Sequence, residues 1–450
     1  MASSFVPTVA HTRPRAWVAD VAMLLAGLGL GAVLALHIVT RTHNYTTGNS
    51  ITEIGRICGL VGTYAALLVV LLAARIPLLE REVGQDRLIK WHRVTGPYAI
   101  WLVVAHVIFI TVGYALNAQM SIPAQLWNII TTMQEMLKGA IGYALFVLVG
   151  VLSYRRIRRY LQYEFWWMTH LSIYAGILLA YSHQVALGQA FINQPVAAIA
   201  WQVLTFGSLA AVLVFRWLLP LANSWSHEFK VAHLAQESSD TVSIYISGRD
   251  LHKLTAAGGQ FFMFRFLVPK LWWHAHPFSI SAAPNGRYLR ITVRDLGDTS
   301  RALMTIPVGT RVIAEGPYGV FTAANRRTDA ALLIAGGVGI TPIRAVLEEL
   351  PAHLSVDVLY RVHDRSALIL AKELDDIAAQ RPNTRVRFLI GTRKDHPIDA
   401  HSITRMVPHA AHCDWYLCGP HSLVEAAKAS AEVLGVPIER VHNEEFAFLP

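Results

Sequence analysis

Six long apolar runs fill the first half of this 450-residue chain, at about 17–39, 54–78, 91–114, 139–154, 166–187 and 196–219. Each is near the length a helix needs to cross the hydrocarbon core of a bilayer, although the fourth is short. Backbone polar groups in hydrocarbon must be satisfied within the segment, so these runs predict a bundle of membrane-spanning helices. A polar tail, 1–16, precedes the first run, which is too long for a signal-peptide core and is read as a span. After about 222 the chain reads as an ordinary soluble protein.

The cations choose an orientation. Arg13 and Arg15 precede the first run. Arg75, Arg81, Arg87, Lys90 and Arg93 surround the loop after the second, and Arg155, Arg156, Arg158 and Arg159 follow the fourth. The other loops carry far fewer. Positive-inside asymmetry predicts a multi-pass protein of the cell membrane with both termini in the cytoplasm. These flanking cations also account for much of the net charge of +9. With no basic tract interleaved with aromatics, a nucleic-acid partner is not expected.

Histidine is costly inside a bilayer unless it has a partner. His92 and His106 lie on the third run, and His170 and His183 on the fifth. Those two spans run in the same direction, so His92 and His170 share the inner level and His106 and His183 the outer one. At about 1.5 Å rise per residue, each pair covers roughly 20 Å along its helix. Two facing helices so equipped suit two haems, one near each leaflet, each iron taking one imidazole from each helix. The alternative for any single histidine is a hydrogen bond to a neighbouring helix, or, for His37, that or a place at the interface. On a helix of about 3.6 residues per turn, a spacing of fourteen returns nearly to the same face and a spacing of thirteen does not. The fifth span is therefore expected to kink, tilt or rotate, with Gly176 as the place for it. Haem propionates need cations or water. Lys90 and Arg93 are candidates at the inner level and Arg56 at the outer one, where it is also placed to polarise an electron acceptor. Cys58, Cys413 and Cys418 are too few for an iron–sulfur cluster, and nothing suggests a disulfide framework.

Beyond Trp225 short strands appear. Thr241–Ser247 and Tyr288–Arg294 alternate apolar and polar residues, with glycine and proline between strands, predicting a small antiparallel barrel. After Arg327 strands alternate with helices, predicting a parallel sheet with ligands at its carboxyl edge. Its first unit is Ala330–Ala335, the glycine-rich Gly336-Gly-Val-Gly339, and a helix opening with Thr341 as N-cap and Pro342 in the first helical position. Such a turn lets backbone approach a phosphate at a helix N-terminus, although Pro342 stands where a third fingerprint glycine would be.

Set in order along the chain, several motifs resemble one family. His276-Pro-Phe-Ser-Ile-Ser281 resembles the flavin-binding motif of NADPH oxidases and ferric reductases, membrane members of the ferredoxin–NADP reductase superfamily. Gly316-Pro-Tyr-Gly319, Gly336-Gly-Val-Gly-Ile-Thr-Pro342, Cys418-Gly-Pro420 and Glu444-Glu-Phe446 look like the same superfamily, as do the two histidine pairs. The resemblance implies a six-helix transmembrane bundle fused to a ferredoxin-reductase-like module. The domains expected are a ferric-reductase-like haem domain at 17–222, an FAD-binding β-barrel at 223–325 and an NAD(P)-binding α/β domain at 326–450. It implies FAD, two b-type haems, and NADPH or NADH as donor. The flavin would be held by the motif His276, Pro277, Phe278, Ser279 and Ser281, with His276 at its phosphates and Ser279 at the N5 edge. Arg294, Gly297 and Thr299 would hold its pyrophosphate. Gly336, Gly337, Gly339, Thr341 and Pro342 would form the nicotinamide dinucleotide's phosphate turn, with Cys418, Gly419 and Pro420 near the nicotinamide. Phe446 would stack on the flavin, with Phe448 as its rival, because the chain continues past the expected terminal aromatic. Arg361 and Arg393, after two strand ends, are placed to bind a 2′-phosphate; solvated surface arginine is the alternative.

The function expected is electron transfer from cytoplasmic NAD(P)H through FAD and two haems to an extracytoplasmic acceptor, dioxygen or a ferric chelate. The long outer loop at about 114–138 is expected to cap the outer haem, and its lack of a His/Cys/carboxylate cluster leans towards dioxygen. Two other readings stay open. One is a channel or transporter with a nucleotide-sensing domain, its histidines serving as proton relays. The other is an electron-transfer partner to a quinone or protein. Oligomeric state is not legible in the sequence.

Overall fold

The computed structural model describes residues 15–41, 46–269, 271–273 and 275–444. Phe446 and Phe448, the two candidates for the ring that stacks on flavin, lie outside the described residues. The chain divides into two compact units. One comprises Ala16–Leu79 and Gln85–Trp217. The other runs from Leu218 onward and takes in the segment Glu80–Gly84.

The first unit is helical: α1 Ala16–Thr40, α2 Thr47–Ala73, α3 Pro77–Val83 (divided between the units), α4 Gln85–Ala118, α5 Ile122–Thr132, α6 Met136–Ser153, α7 Arg155–Arg158, α8 Tyr163–Leu187 and α9 Pro195–Ala211. A π-helical stretch, Val212–Leu218, leads on into α10, Leu219–His227. Five helices among the described residues are long and apolar enough to cross a membrane: α1, α2, α4, α6 and the continuous helix Pro195–His227. The sixth expected span, α8, has the length at 25 residues. It falls short in apolarity because it carries Thr169, His170, Ser172, Ser182, His183 and Gln184. The expected outer loop at 114–138 is largely helix, since α4 continues to Ala118 and α5 fills most of the rest.

Small residues set the helix packing. α4 lies along α2, and α6 along α8. A Cβ on Gly62 of α2 would meet Leu102 at 2.9 Å, and one on Gly142 of α6 would meet the Gly176 carbonyl at 2.8 Å. Glycine at such contacts lets helix backbones approach closely. Gly176 sits buried against α6 within α8.

The second unit begins with two three-stranded antiparallel sheets. One has the order β1 (Lys230–Ser238), β2 (Thr241–Ser247), β5 (Tyr288–Arg294). The other has the order β4 (His276–Ser279), β3 (Phe261–Phe266), β6 (Val312–Tyr318). Bridges at Lys230–Arg311 and Ile280–Ile291 join them. Val242, Ile244, Ile246, Phe262, Phe264, Phe266, Leu289, Ile291 and Val293 fill the space between, the inward positions that period-2 alternation selects. α11, Asp298–Met304, follows β5.

A five-stranded parallel sheet follows, in the order β11 (Val441–Glu444), β10 (Asp414–Cys418), β7 (Ala330–Gly336), β8 (Ser355–Val362), β9 (Thr384–Ile390). Its helices are α12 Ile340–Glu349, α13 Ala371–Ala379, α14 Ala400–Met406 and α15 His421–Val433. The chain moves outward from β7 through β8 to β9, then returns to the other side of β7 for β10. The topological switch point therefore lies between β7 and β10, where sheets of this kind bind ligands at their carboxyl ends.

Candidate functional site

In the helical unit His92, His106 and His170 are oriented by what holds their Nδ1 atoms, whereas Nδ1 of His183 is buried without a hydrogen-bond partner among the described residues. Nδ1 of His92 stands 3.0 Å from the Val69 carbonyl, and Nδ1 of His106 stands 2.8 Å from the Gly55 carbonyl. A carbonyl only accepts, so in each ring Nδ1 carries the proton and Nε2 keeps the lone pair. That is the tautomer a metal-ligating histidine needs, with its other nitrogen donated to a main-chain oxygen. Glycines behind the outer rings complete the arrangement. A Cβ on Gly59 would stand 2.6 Å from Nδ1 of His106, and one on Gly139 would stand 2.9 Å from Nδ1 of His183. Each outer imidazole is thus pressed back against its packing partner, α2 or α6. α4 and α8 themselves make little backbone contact among the described residues.

The inner pair faces across that space. The ring centroids of His92 and His170 are 6.1 Å apart. Two imidazole–metal bonds of about 2 Å, with the reach from each nitrogen to its ring centre, separate a ligating pair by roughly 6 Å. Nδ1 of His170 lies 3.2 Å from Ser153 Oγ, which also accepts from Trp166 Nε1 at 3.2 Å. The Trp166 ring stacks on His170 with centroids 5.0 Å apart, and the Arg158 guanidinium lies over the Trp166 ring at 4.5 Å. No cluster of three or more His, Cys, Asp or Glu among the described residues suits a bare metal ion. The inner two-histidine site would suit an iron whose remaining ligands come from a porphyrin.

Of the cations expected to serve such groups, Arg93 lies exposed on α4. Arg56 is paired with Glu53 one turn earlier on α2, Nη1 to Oε1 2.5 Å, with Glu53 Oε2 3.6 Å from the buried His37. Sequence reasoning does not find Ser153 and Trp166, which carry no pattern of their own. It also passes over Arg216, whose signal is visible: a cation inside an apolar run.

In the soluble unit the flavin motif forms β4 and the turn after it. His276 and Ser279 register against Phe264 and Phe261 of β3. Ser281 is fully buried, accepting from Arg290 Nε at 3.1 Å and Thr292 Oγ1 at 2.8 Å. Arg294, at the end of β5, donates to Asp240 Oδ2 at 2.7 Å. Burial acts to raise the Asp240 carboxyl's pKa, but bonds from Ser238, Arg294 and Thr241 hold it below the ordinary range. Gly297 and Thr299 are exposed at the start of α11, where Gly297 has φ +151°.

The glycine-rich turn meets the Cys418-Gly-Pro420 turn at the switch point. A Cβ on Gly339 would run into the Cys418 carbonyl, and one on Gly336 would stand 2.9 Å from Pro420. Gly337 takes φ +55°, a conformation that glycine adopts without penalty. Thr341 is not the N-cap. A 3-10 turn, Gly337–Gly339, runs straight into α12 at Ile340, so Thr341 and Pro342 fall inside the first helical turn. The Thr341 hydroxyl bonds back to the Val338 carbonyl at 2.9 Å instead. Cys418 is wholly buried at the end of β10, and burial, then Glu444, raises its thiol well above the ordinary range. Arg361 lies near the end of β8, and Arg393 in the loop after β9. Burial and the neighbouring Arg393 lower the Arg361 pKa, which marks two cations facing the same edge of the sheet.

An ion network around the buried Arg290 and Arg344 ties the flavin sheets to the nucleotide sheet. Arg290 of β5 donates to both Glu373 oxygens, at 2.7 and 2.9 Å, and Glu373 also pairs with Arg344 of α12. Arg344 pairs with Glu348, which accepts from the Ala283 amide at 2.7 Å. Beside it Glu349 accepts from the Gly258 amide at 2.7 Å, and burial pushes its carboxyl up to about 7.

Comparison with known proteins adds independent support. Residues 58–181 match the ferric reductase like transmembrane component, 226–322 an FAD-binding domain and 333–429 an oxidoreductase NAD-binding domain. A flavohemoprotein of Chromobacterium violaceum is 29% identical over 252 residues, 50% of this chain and 62% of that protein. The ferric/cupric reductase transmembrane component 1 of Candida albicans is 25% identical over 333 residues, 70% of this chain and 40% of that protein. Thus the chain spans less than two thirds of the length of either relative. Among solved structures, the FAD/NAD binding domain of a Vibrio cholerae nitric oxide dioxygenase is 23% identical, with TM-score 0.39, covering 49% of this chain and 98% of that one. The chain therefore carries, in order, a ferric-reductase-like transmembrane component, an FAD-binding domain and an oxidoreductase NAD-binding domain.

Proposed function

We propose that this chain is an NAD(P)H-dependent oxidoreductase of the cell membrane. It would hold FAD on its antiparallel sheets and two b-type haems in its helical bundle, and deliver electrons to dioxygen or a ferric chelate beyond the membrane. The observation that carries this reading is the pair of anchored imidazoles on α4: His92 and His106 give their Nδ1 protons to main-chain carbonyls and keep Nε2 for a metal. A flavin held there would supply the conversion between a two-electron nicotinamide donor and one-electron haem acceptors.

The residues divide the work. His92 and His170 would hold the inner porphyrin, and His106 and His183 the outer one. Arg93 and Arg56 are proposed for their propionates. Ser153 and Trp166 keep the His170 ring in one orientation. His276, Pro277, Phe278, Ser279, Arg294, Gly297 and Thr299 would bind FAD, with Ser279 at the flavin edge. The crossing of the Gly336–Gly339 and Cys418–Pro420 turns offers main-chain amides to a dinucleotide phosphate. Arg361 and Arg393 favour NADPH over NADH, since a 2′-phosphate relieves the repulsion between them. The haem domain is assigned to 17–222, the flavin domain to 223–325 and the nucleotide domain to 326–450, with both termini on the cytoplasmic side.

The test is purification of the full chain and a reduced-minus-oxidised spectrum, with oxygen and ferric-chelate reduction assayed side by side. Haem bands with NADPH-dependent superoxide or ferrous iron are expected. A colourless Soret region after growth with ample iron would return the protein to the transporter reading. Haem bands without a small-molecule product would favour the quinone or protein partner.

A further inference from the structure

Arg216 is the single charged side chain between Pro195 and Ser226. It sits in the π-helical stretch Val212–Leu218. Such stretches are rare and often mark functional sites. Here the guanidinium reaches back to α2, where Nη1 donates to the Ala73 carbonyl at 3.1 Å. The carbonyl four residues earlier, Val69, is the one that holds Nδ1 of His92. Residues four apart share a helix face about one turn, or 5.4 Å, apart. Guanidinium and inner imidazole are therefore hung from neighbouring turns on one face of α2. Arg216 lies within electrostatic range of both His92 and His170, and of Tyr174 one turn beyond His170.

We propose that Arg216 is the cation of the inner histidine site and raises the reduction potential of the haem held there. This rests on the haem reading above and deepens it. One-electron reduction adds one negative charge to the site. A fixed positive charge close by, screened little by the surrounding bundle, favours the reduced state over the oxidised one. The same charge would neutralise a porphyrin carboxylate. The competing role is structural: Ala73 is the last residue of α2, and an arginine donating to its carbonyl is a helix C-cap. Gln keeps a donor for that carbonyl and loses the charge, while Lys keeps the charge, so the two roles separate.

The experiment is an anaerobic spectroelectrochemical titration of the full chain in lipid nanodiscs, following both haems. His170→Ala identifies the inner wave by removing it. In Arg216→Gln that wave should move to lower potential, with about tenfold less of the inner haem reduced at a given potential, or about 59 mV for a one-electron couple. The outer wave should stay in place, and Arg216→Lys should restore most of the shift. Two unmoved waves at full haem content in Arg216→Gln would overturn the proposal in favour of the cap. If Arg216→Gln loses haem, Arg216→Lys must keep it at the wild-type potential, and loss in both variants also overturns it. Absence of haem from the unsubstituted protein is a different failure, that of the haem reading itself.

Discussion

The two halves of the molecule use glycine for opposite ends. In the helical unit Gly59 and Gly139 make room for a side chain, so that an imidazole can lie back against a neighbouring helix. In the nucleotide sheet Gly339 and Gly419 make room for main chain, so that two turns touch at the sheet's carboxyl edge. The difference follows from the solvent. Hydrocarbon leaves no backbone amide free to bind a ligand, so binding there falls to side chains, and the main chain contributes carbonyls that orient them. At a water-exposed sheet edge the amides themselves are the binding groups.

The largest effect that would break this comparison comes from the side-chain half. His106→Ala is expected to abolish electron transfer across the membrane while NADPH still reduces the flavin at an unchanged rate. Stopped-flow flavin bleaching and outer-face acceptor reduction, measured together, check it, and preserved outer-face activity would remove His106 from the path. Next comes the main-chain half. A Val at Gly339 must displace the Cys418 turn, so the Michaelis constant for NADPH is expected to rise at least about tenfold, with overpacking costing about 1–3 kcal/mol of stability. Steady-state kinetics and a thermal melt separate the two contributions.

A smaller change sharpens the contrast. Gly59→Ala pushes on Nδ1 of His106, and the expected result is loss or altered ligation of one haem with the other intact, read from its low-temperature spectrum. Gly207→Ala, at a helix position with nothing within 4 Å, is the matched control and should be silent. The smallest effect belongs to Glu349. An acid whose folded pKa stands above its ordinary value of 4.5 binds the extra proton in the folded state. Its contribution is complete below about 4.5 and is lost as pH rises through about 7. Urea unfolding of the protein should therefore show a midpoint that falls over that window, and Glu349→Gln should flatten the fall.

Much of this is legible in the residues in order. Strands β2 and β5 lie where period-2 alternation puts them, because their inward residues have one core to fill. The four histidines of α4 and α8 stand out because a polar ring in an apolar run is costly unless something binds it. Thr341 reads wrongly as a cap because a cap depends on where the helix begins, and the 3-10 turn before it moves that point upstream. That Gly176 packs against α6 is not legible in order, because spacing along one helix carries no information about the neighbour that packs on it.

Periodicity, composition and short motifs are local properties, and they determined the helical and soluble halves, the order of the domains and the identity of the histidine pairs. Which nitrogen of each α4 histidine is free, which glycine backs which ring, and the anchoring of Arg216 and His92 on neighbouring turns of α2 were decided only by the tertiary structure. Those contacts join residues 23 to 143 positions apart, and they exist only once helices have packed, since no spacing rule within a helix reaches across to another.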